Sequence, residues 1–467
     1  MKLIVIGLDC ATPQLVFDRF RQDLPNLSRL MEEGAWGRLE STHPPITVPA
    51  WACMMSGYDP GQLGIYGFRN RKDHSYGGYV VANASTVKVD RVWDTLSKAG
   101  KKVILLGVPQ TYPVKPLNGH VVSDFLTPST QHTYTYPPEL KGEVEQVSRG
   151  YVFDVEGFRT EDKTALLERI YDKTRKHFAV AKHLLRTKPW DFFMMVEMGV
   201  DRIHHGFWSY MDPTHPKYTS GNPFEGTIRD YYRYVDQEIG EVLDLLPDDT
   251  VVLVVSDHGA KKLEGGICFN EWLIREGYLA VKRYPEKITP IDQVEIDWSR
   301  TTAWGDGGYY GRLFLNVRGR EPQGTIDPQD YERVRQELVE KIQAIDDPRG
   351  TNLGSRAYPP EALYREVNGI PPDLIVYFGD LYWRSVGSLG YRSLFTFEND
   401  SGPDGANHDW HGIFIVNGEG CRKGGLAKGQ RDDLTLYDVG PTVLAFFGLK
   451  PNPGGVGKPM IPAQGRL

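Results

Sequence analysis

Four short stretches of the 467-residue chain hold acids and imidazoles in patterns suited to a divalent metal. GLDC places Asp9 directly after an apolar run; VDRIHHGFW holds Asp201 and His205; SDHG holds Asp257 and His258; and NHDW holds His408. Asp201 and His205 are four residues apart, so a helical turn would set both on one face, as two ligands of one ion require. By the same geometry His204 points elsewhere, and both it and His411 are expected at the surface or facing substrate. An acid and an imidazole in succession at a strand end, as at Asp257–His258, are costly to bury without a partner. Carboxylates and imidazoles without thiolates suit Zn best, with Mn second. The cysteines, Cys10, Cys53, Cys268 and Cys421, form no CxxC pair, so neither a thiolate zinc site nor a disulfide framework is expected.

A fifth stretch, HPPITVPAWACMMSG, reads as a short helix with Pro49 in its first turn and Gly57 closing it. Thr47 then has two readings. It is an N-cap whose hydroxyl satisfies a free backbone N–H, or it is a nucleophile at a helix N-terminus, where free N–H groups and the helix dipole welcome a phosphoryl oxygen. A metal beside the hydroxyl would activate it at neutral pH.

These residues need rigid elements to hold them. Apolar runs at 3–8, 103–108, 192–196, 251–255, 313–317, 374–378 and 413–416 alternate with helical patterns at 14–33, 89–99, 161–186, 228–246 and 331–345. That is the pattern of an α/β fold with a large, doubly wound, mostly parallel sheet and helices on both faces. Functional side chains gather at the carboxyl ends of such strands, where Asp9, the 197–205 segment and Asp257–His258 all fall. Stretches 70–85, 209–224 and about 277–302 break the alternation and read as insertions. The core is expected from 1–263 and 369–467, with 264–368 as an insertion or cap, and the Gly/Pro-rich 450–467 tail as a wrap over the surface.

Composition narrows the class. Hydrophobic residues are 40% and charged residues 25%, ordinary for a globular protein. With 54 Lys and Arg against 61 Asp and Glu, the net charge of -7 lacks the broad basic surface of a nucleic-acid or acidic-membrane binder, so no stable complex with either is expected. The apolar start of the chain is interrupted by Asp9 before a signal-peptide core forms, and no apolar run reaches the ~18 residues of a membrane span. A cytoplasmic protein is the expectation.

Asp9, TVPAW with Thr47, Asp201/His205, SDHG and the later His408 are ordered as in the alkaline phosphatase superfamily, and the chain resembles its type I phosphodiesterase/nucleotide pyrophosphatase branch, which includes predicted phosphohydrolases and phosphomutases. WDTLSKAGKKVILLGVPQTYP, NVRGREPQG, PPDLIVYF and DVGPTVLAFFGL extend the resemblance over most of the chain. It implies two divalent ions, one on Asp201, His205 and His408, the other on Asp9, Asp257, His258 and the Thr47 oxygen. It also implies a phosphodiesterase acting on nucleotide-like or other small phosphodiesters through a phospho-threonine. The alternatives are a phosphomonoesterase or phosphomutase using the same site and, from another class, a non-catalytic metal- or anion-binding descendant. Ala50 stands where nucleotide pyrophosphatases carry a phosphate-contacting Asn, so another donor must serve. Arg69, Arg71 and Arg202 would suit a monoester's extra charge, whereas Trp51, Trp208, Tyr210 and Trp410 would stack on a base in a diester.

Overall fold

The structure, a computed structural model, describes residues 2–461, apart from the side chains of residues 422 and 423. Its centre is a nine-stranded sheet in the order Gly429–Thr435, Ala35–Glu40, His411–Asn417, Val251–Val255, Leu3–Leu8, Phe192–Glu197, Val103–Leu106, Gly119–Val122, Thr135–Tyr136. The five strands from Val251–Val255 to Gly119–Val122 are mutually parallel. His411–Asn417 runs antiparallel to both its neighbours.

Leu3–Leu8 shows why these runs make a sheet covered on both faces. All six residues are buried. Successive side chains of a strand point to opposite faces, and accordingly Ile4, Ile6 and Leu8 join one core cluster while Leu3 and Val5 join the other. The first cluster is covered by helices Pro25–Glu33, Lys163–Thr187, Gly199–Met211 and Thr227–Leu243, the second by Thr47–Ser56, Val92–Lys98 and Val439–Phe446. Among the described residues, no helix is long and apolar enough to cross a membrane.

Two expectations change. The 14–33 pattern is broken into a π-helical turn, a 3₁₀ turn and a helix that begins at Pro25, because proline supplies no N–H to continue a helix but fits its first position. The 313–317 and 374–378 runs do not lie in the central sheet. They are strands Gly311–Leu315 and Leu374–Tyr377 of a separate antiparallel sheet that also contains Ala303–Asp306 and Arg356–Tyr358. A short buried apolar run looks the same in either sheet. A further three-stranded sheet joins Trp383–Val386, Gly265–Cys268 and Phe395–Thr396, so strands outside the central sheet are drawn from well past residue 368.

The hairpin of Arg69–Arg71 and Tyr79–Val81 leans on this outer region, with Tyr76 stacked 3.7 Å from Trp298 and Arg71 paired to Glu321. The tail crosses the end of the Thr47–Ser56 helix, where Asn452 donates to the Ser56 carbonyl and Val456 N–H to that of Gly57. Residues 462–467 of the expected wrap lie outside the described residues.

Candidate active site

Three adjacent parallel strands end level with one another, since Gly7 pairs with Val196 on one side and Val255 on the other. The chain leaving each of them carries one part of the site. Asp9 follows the first strand. The second leads into helix Gly199–Met211, which bears Asp201 and His205. Asp257 and His258 follow the third and lead directly into strand Gly259–Lys262, whose antiparallel partner Ala406–Asp409 sets His408 opposite Ala260. All six side chains are buried.

The helical-face argument holds: Asp201 Oδ1 lies 3.2 Å from His205 Nε2 and 3.7 Å from His408 Nε2. Ligand atoms of these three residues cluster within 4.8 Å of one another, and so do those of Asp9, Asp201 and His258. Asp257 Oδ2 stands 3.1 Å from His258 Nε2, and Asp9 Oδ1 stands 3.8 Å from the same nitrogen. Asp201 therefore sits between the two expected ligand groups. Cys10, which the sequence did not single out, also clusters with His258 and His408, its thiol donating to the Gly259 carbonyl.

Each imidazole is oriented from behind. His205 Nδ1 faces Asp404 Oδ1 at 2.8 Å, His258 Nδ1 the Gly259 carbonyl at 3.1 Å, and His408 Nδ1 the Pro45 carbonyl at 2.8 Å. An acceptor at Nδ1 puts the ring proton there and leaves the Nε2 lone pair for a ligand. The inward atoms Asp9 Oδ1, Asp257 Oδ2, His205 Nε2 and His408 Nε2 are buried without a hydrogen-bond partner, an arrangement that ordinary packing avoids.

Burial and crowding shift the titrating groups of this cluster strongly. Burial, then Asp201, pushes the Asp9 carboxyl up to about 8, and burial, then Asp9, raises that of Asp257 well above the usual carboxylate range. Asp201 is also buried, yet His205 and Arg202 hold its carboxyl well below that range. Burial disfavours the charged His205 ring, but Asp404 and Asp201 outweigh it and raise His205 to about 9. His258, lowered by burial to about 4, is neutral.

Thr47 is the first residue of helix Thr47–Ser56, which has Ile46 as its N-cap and no side-chain cap. Its hydroxyl instead lies 3.3 Å from His258 Nε2. The capping role is thus excluded, and a helix N-terminus and the Thr47 hydroxyl are brought to the cluster together.

Residues expected at substrate fare differently. Trp51 is buried against the first strand and its indole N–H donates to Asp9 Oδ2 at 2.7 Å, so it orients Asp9. Arg202 is committed to Asp154 and Asp201 and packs over Phe158. Trp208 is buried and donates to Asp212 at 3.2 Å. Arg69 is exposed on its hairpin, where its carbonyl accepts from Arg312. Trp410 is half-buried, hydrogen bonded to Asp380 at 2.8 Å, its ring 5.0 Å from that of His43. His204 is not at the surface: it is fully buried on the far side of its helix, 3.1 Å from the Tyr232 hydroxyl.

Several site residues escaped the sequence reading. Asp404 braces His205 and is itself held by Arg159 at 2.9 Å. Tyr309 stacks on His408 with centroids 4.0 Å apart and on His205 at 5.0 Å.

Residues 3–413 match the family described as type I phosphodiesterase/nucleotide pyrophosphatase. Over 159 residues, 32% of this chain, the sequence is 28% identical to GPI ethanolamine phosphate transferase 3 of Schizosaccharomyces pombe, a match that takes in 14% of that protein's length. The fold is similar to that of phosphonoacetate hydrolase from Sinorhizobium meliloti 1021 in complex with phosphonoformate, with a TM-score of 0.61 and 16% identity over 96% of this chain and 94% of that one. It is also similar to human ectonucleotide pyrophosphatase/phosphodiesterase 5, with a TM-score of 0.53 and 12% identity over 97% and 96% of the two chains. The murine protein of that name, in an inactive Thr-to-Ala form in complex with AMP, gives a TM-score of 0.52 and 13% identity over 97% and 96%.

Proposed function

The chain belongs to the type I phosphodiesterase/nucleotide pyrophosphatase family of the alkaline phosphatase superfamily, enzymes acting on phosphoester bonds, and on that premise we propose that it is a metal-dependent phosphodiesterase that cleaves small, nucleotide-like diesters through a phosphorylated Thr47. The observation that carries the reading is the set of inward-facing, unpartnered oxygens and imidazole nitrogens around Thr47. That donor set fits divalent ions. Asp201, His205 and His408 would hold one, and Asp9, Asp257, His258 and the Thr47 oxygen the other, with Zn first and Mn second in preference. Two such ions, when bound, neutralise charge on the phosphoryl oxygens and lower the pKa of the Thr47 hydroxyl.

The chain's own residues do the rest. Thr47 Oγ1 attacks phosphorus in line, forming a P–O bond to Thr47 as the bond to the leaving oxygen breaks, and the proton lost by the hydroxyl to solvent is matched by one the departing alkoxide takes up to leave as an alcohol. Water then attacks the phospho-threonine, restoring the hydroxyl and releasing the phosphorylated product. The helix N-terminus at Thr47 adds its dipole to the phosphoryl site. Asp404 fixes the His205 ring, Trp51 fixes Asp9, and Tyr309 covers His408. The inactive Thr-to-Ala murine neighbour in complex with AMP supports both the threonine's role and a nucleotide-like substrate.

A diester is favoured over the monoester and mutase alternatives because the candidate arginines are already engaged or distant. Arg202 is tied to two carboxylates, Arg71 to Glu321, and Arg69 is exposed on the hairpin. None of these three guanidiniums is free to take a monoester dianion's extra charge at Thr47. Metal-loaded protein assayed on bis-p-nitrophenyl phosphate and p-nitrophenyl phosphate should give a kcat/KM at least about 10-fold higher for the diester. Equal or reversed values would transfer the assignment to the monoester alternative.

Trp51→Phe should keep the packing of the ring but remove the donor to Asp9. The expected result is metal affinity weaker by about 10–100-fold with an unchanged fold, read by metal titration and circular dichroism. Unaltered affinity would mean that Asp9 is held without Trp51.

A further inference from the structure

Behind His205, whose ring Asp404 holds, lies a cavity of about 20 Å³ lined in part by His215, Glu264, Arg384, Glu398, Asn399 and Asp404. It has room for a small group rather than a large ligand. Arg384 comes from strand Trp383–Val386, opposite Gly266 of strand Gly265–Cys268. The glycine lets the strands approach closely, since a Cβ there would stand 2.7 Å from Val386 Cγ2. The guanidinium lies 5.7 Å from the Tyr309 ring, whose other contacts are His408 and His205.

Arg384 is 6% exposed, yet its Nε and Nη1 have no hydrogen-bond partner, and neither has Asn399 Nδ2 beside it. The acids around the cavity are engaged elsewhere. Asp404 is shared by His205 and Arg159; Glu264 pairs with Lys262 and Glu398 with Lys217. Asp400 accepts from Ser388 at 2.9 Å and comes only to 3.9 Å from Arg384 Nη2. Buried N–H donors without an acceptor are costly, and the planar fork of Nε and Nη1 matches the two oxygens of a carboxylate or phosphate.

We propose that Arg384 and Asn399 form an oxyanion site behind the Asp201–His205–His408 cluster, which takes a phosphate or carboxylate group, either free inorganic phosphate or a terminal anionic group of a substrate. The site is separate from the catalytic reading, and its binding is measured without turnover. Chelator-treated full-length protein, titrated calorimetrically with inorganic phosphate, should show one binding event. Arg384→Met should weaken it by at least about 10-fold and Asn399→Ala by several-fold. Phosphate should raise the melting temperature of the wild type and leave that of Arg384→Met unmoved. In phosphate-free buffer, Arg384→Met should melt close to wild type, because methionine keeps the apolar stem and removes two buried donors that lack acceptors, so lost binding will not reflect lost folding.

Two metal-loaded substrates that differ only in a terminal carboxylate separate the sources. A KM raised by Arg384→Met for the carboxylated substrate alone assigns the site to the substrate's anion, whereas unchanged KM values together with lost phosphate binding assign it to the free ion. Equal phosphate binding by wild type and Arg384→Met, or no binding by wild type at millimolar phosphate, overturns the proposal. Absence of turnover on either substrate would count against the catalytic reading and leave the calorimetric result standing.

Discussion

Thr47→Ala should abolish turnover by several orders of magnitude while leaving the fold and most bound metal in place. The hydroxyl caps no backbone group, and among the described residues it makes a polar contact with His258 Nε2 at 3.3 Å. Its loss should therefore cost little stability, at most the ~1 kcal/mol of a single hydrogen bond. Thr47→Ser retains an oxygen at the same helix position and should keep a measurable fraction of the rate. Acid quench of the wild type during turnover should trap phosphate on this residue, provided that the second step does not outrun the first. Metal-loaded Thr47→Ala working at a rate close to wild type would remove Thr47 from the chemistry altogether.

The second large effect follows removal of divalent metal, and it concerns stability as a function of pH. In the metal-free fold, Asp9 is raised to about 8 and Asp257 well above its usual range, chiefly by burial, and His205 is held up at about 9 by Asp404 and Asp201 against the pull of burial. Each group binds a proton in the fold that the unfolded chain releases at lower pH. The stability linked to these protons is fully present below the unfolded-chain values and is lost as pH rises through the folded ones. His258 and His408, both lowered by burial, work in the opposite direction, but below pH ~6.5. Between about pH 6.5 and 8.5 the metal-free protein should therefore lose several kcal/mol. Zn or Mn replaces the protons and should abolish the loss. Thermal melts with chelator and with metal should draw apart as pH rises; a separation that stays constant or shrinks would show that these side chains do not share a cation site. Elemental analysis of the loaded protein should find two ions per chain.

Residues that act through local spacing were readable from the chain. Asp201 and His205 needed only the helical repeat, and Asp9 and Asp257–His258 needed only strands ending in polar residues. The residues that brace them were not readable. Asp404 sits in SGPDGANHDW, a stretch whose Gly and Pro content marks a loop and conceals which side chain turns inward. Tyr309 belongs to GDGGYYGR, and its stacking on His408 depends on how the outer sheets sit over the centre. Trp51 reads from sequence as a base-stacking residue because aromatic type alone carries no direction, whereas its indole N–H faces Asp9. The same limit assigned Leu374–Tyr377 to the central sheet, since burial on both faces looks alike whichever neighbours supply it.

The short ribbon of Gly259–Lys262 and Ala406–Asp409 joins the chain just before the outer sheets to the chain just after them, and it also delivers His408. Everything between its two strands is, in polymer terms, one closed excursion. Closing such a loop costs free energy only with the logarithm of its length, ~0.6 kcal/mol for each doubling. Away from Tyr309 and Asp404, which brace His408 and His205 from inside it, the excursion can therefore lengthen, shorten or be exchanged at little thermodynamic cost. Substrate range and metal chemistry can then diverge separately during descent, and a chimera carrying a relative's excursion between Lys262 and Ala406 should inherit that relative's selectivity provided that a tyrosine and an aspartate are kept at those two positions.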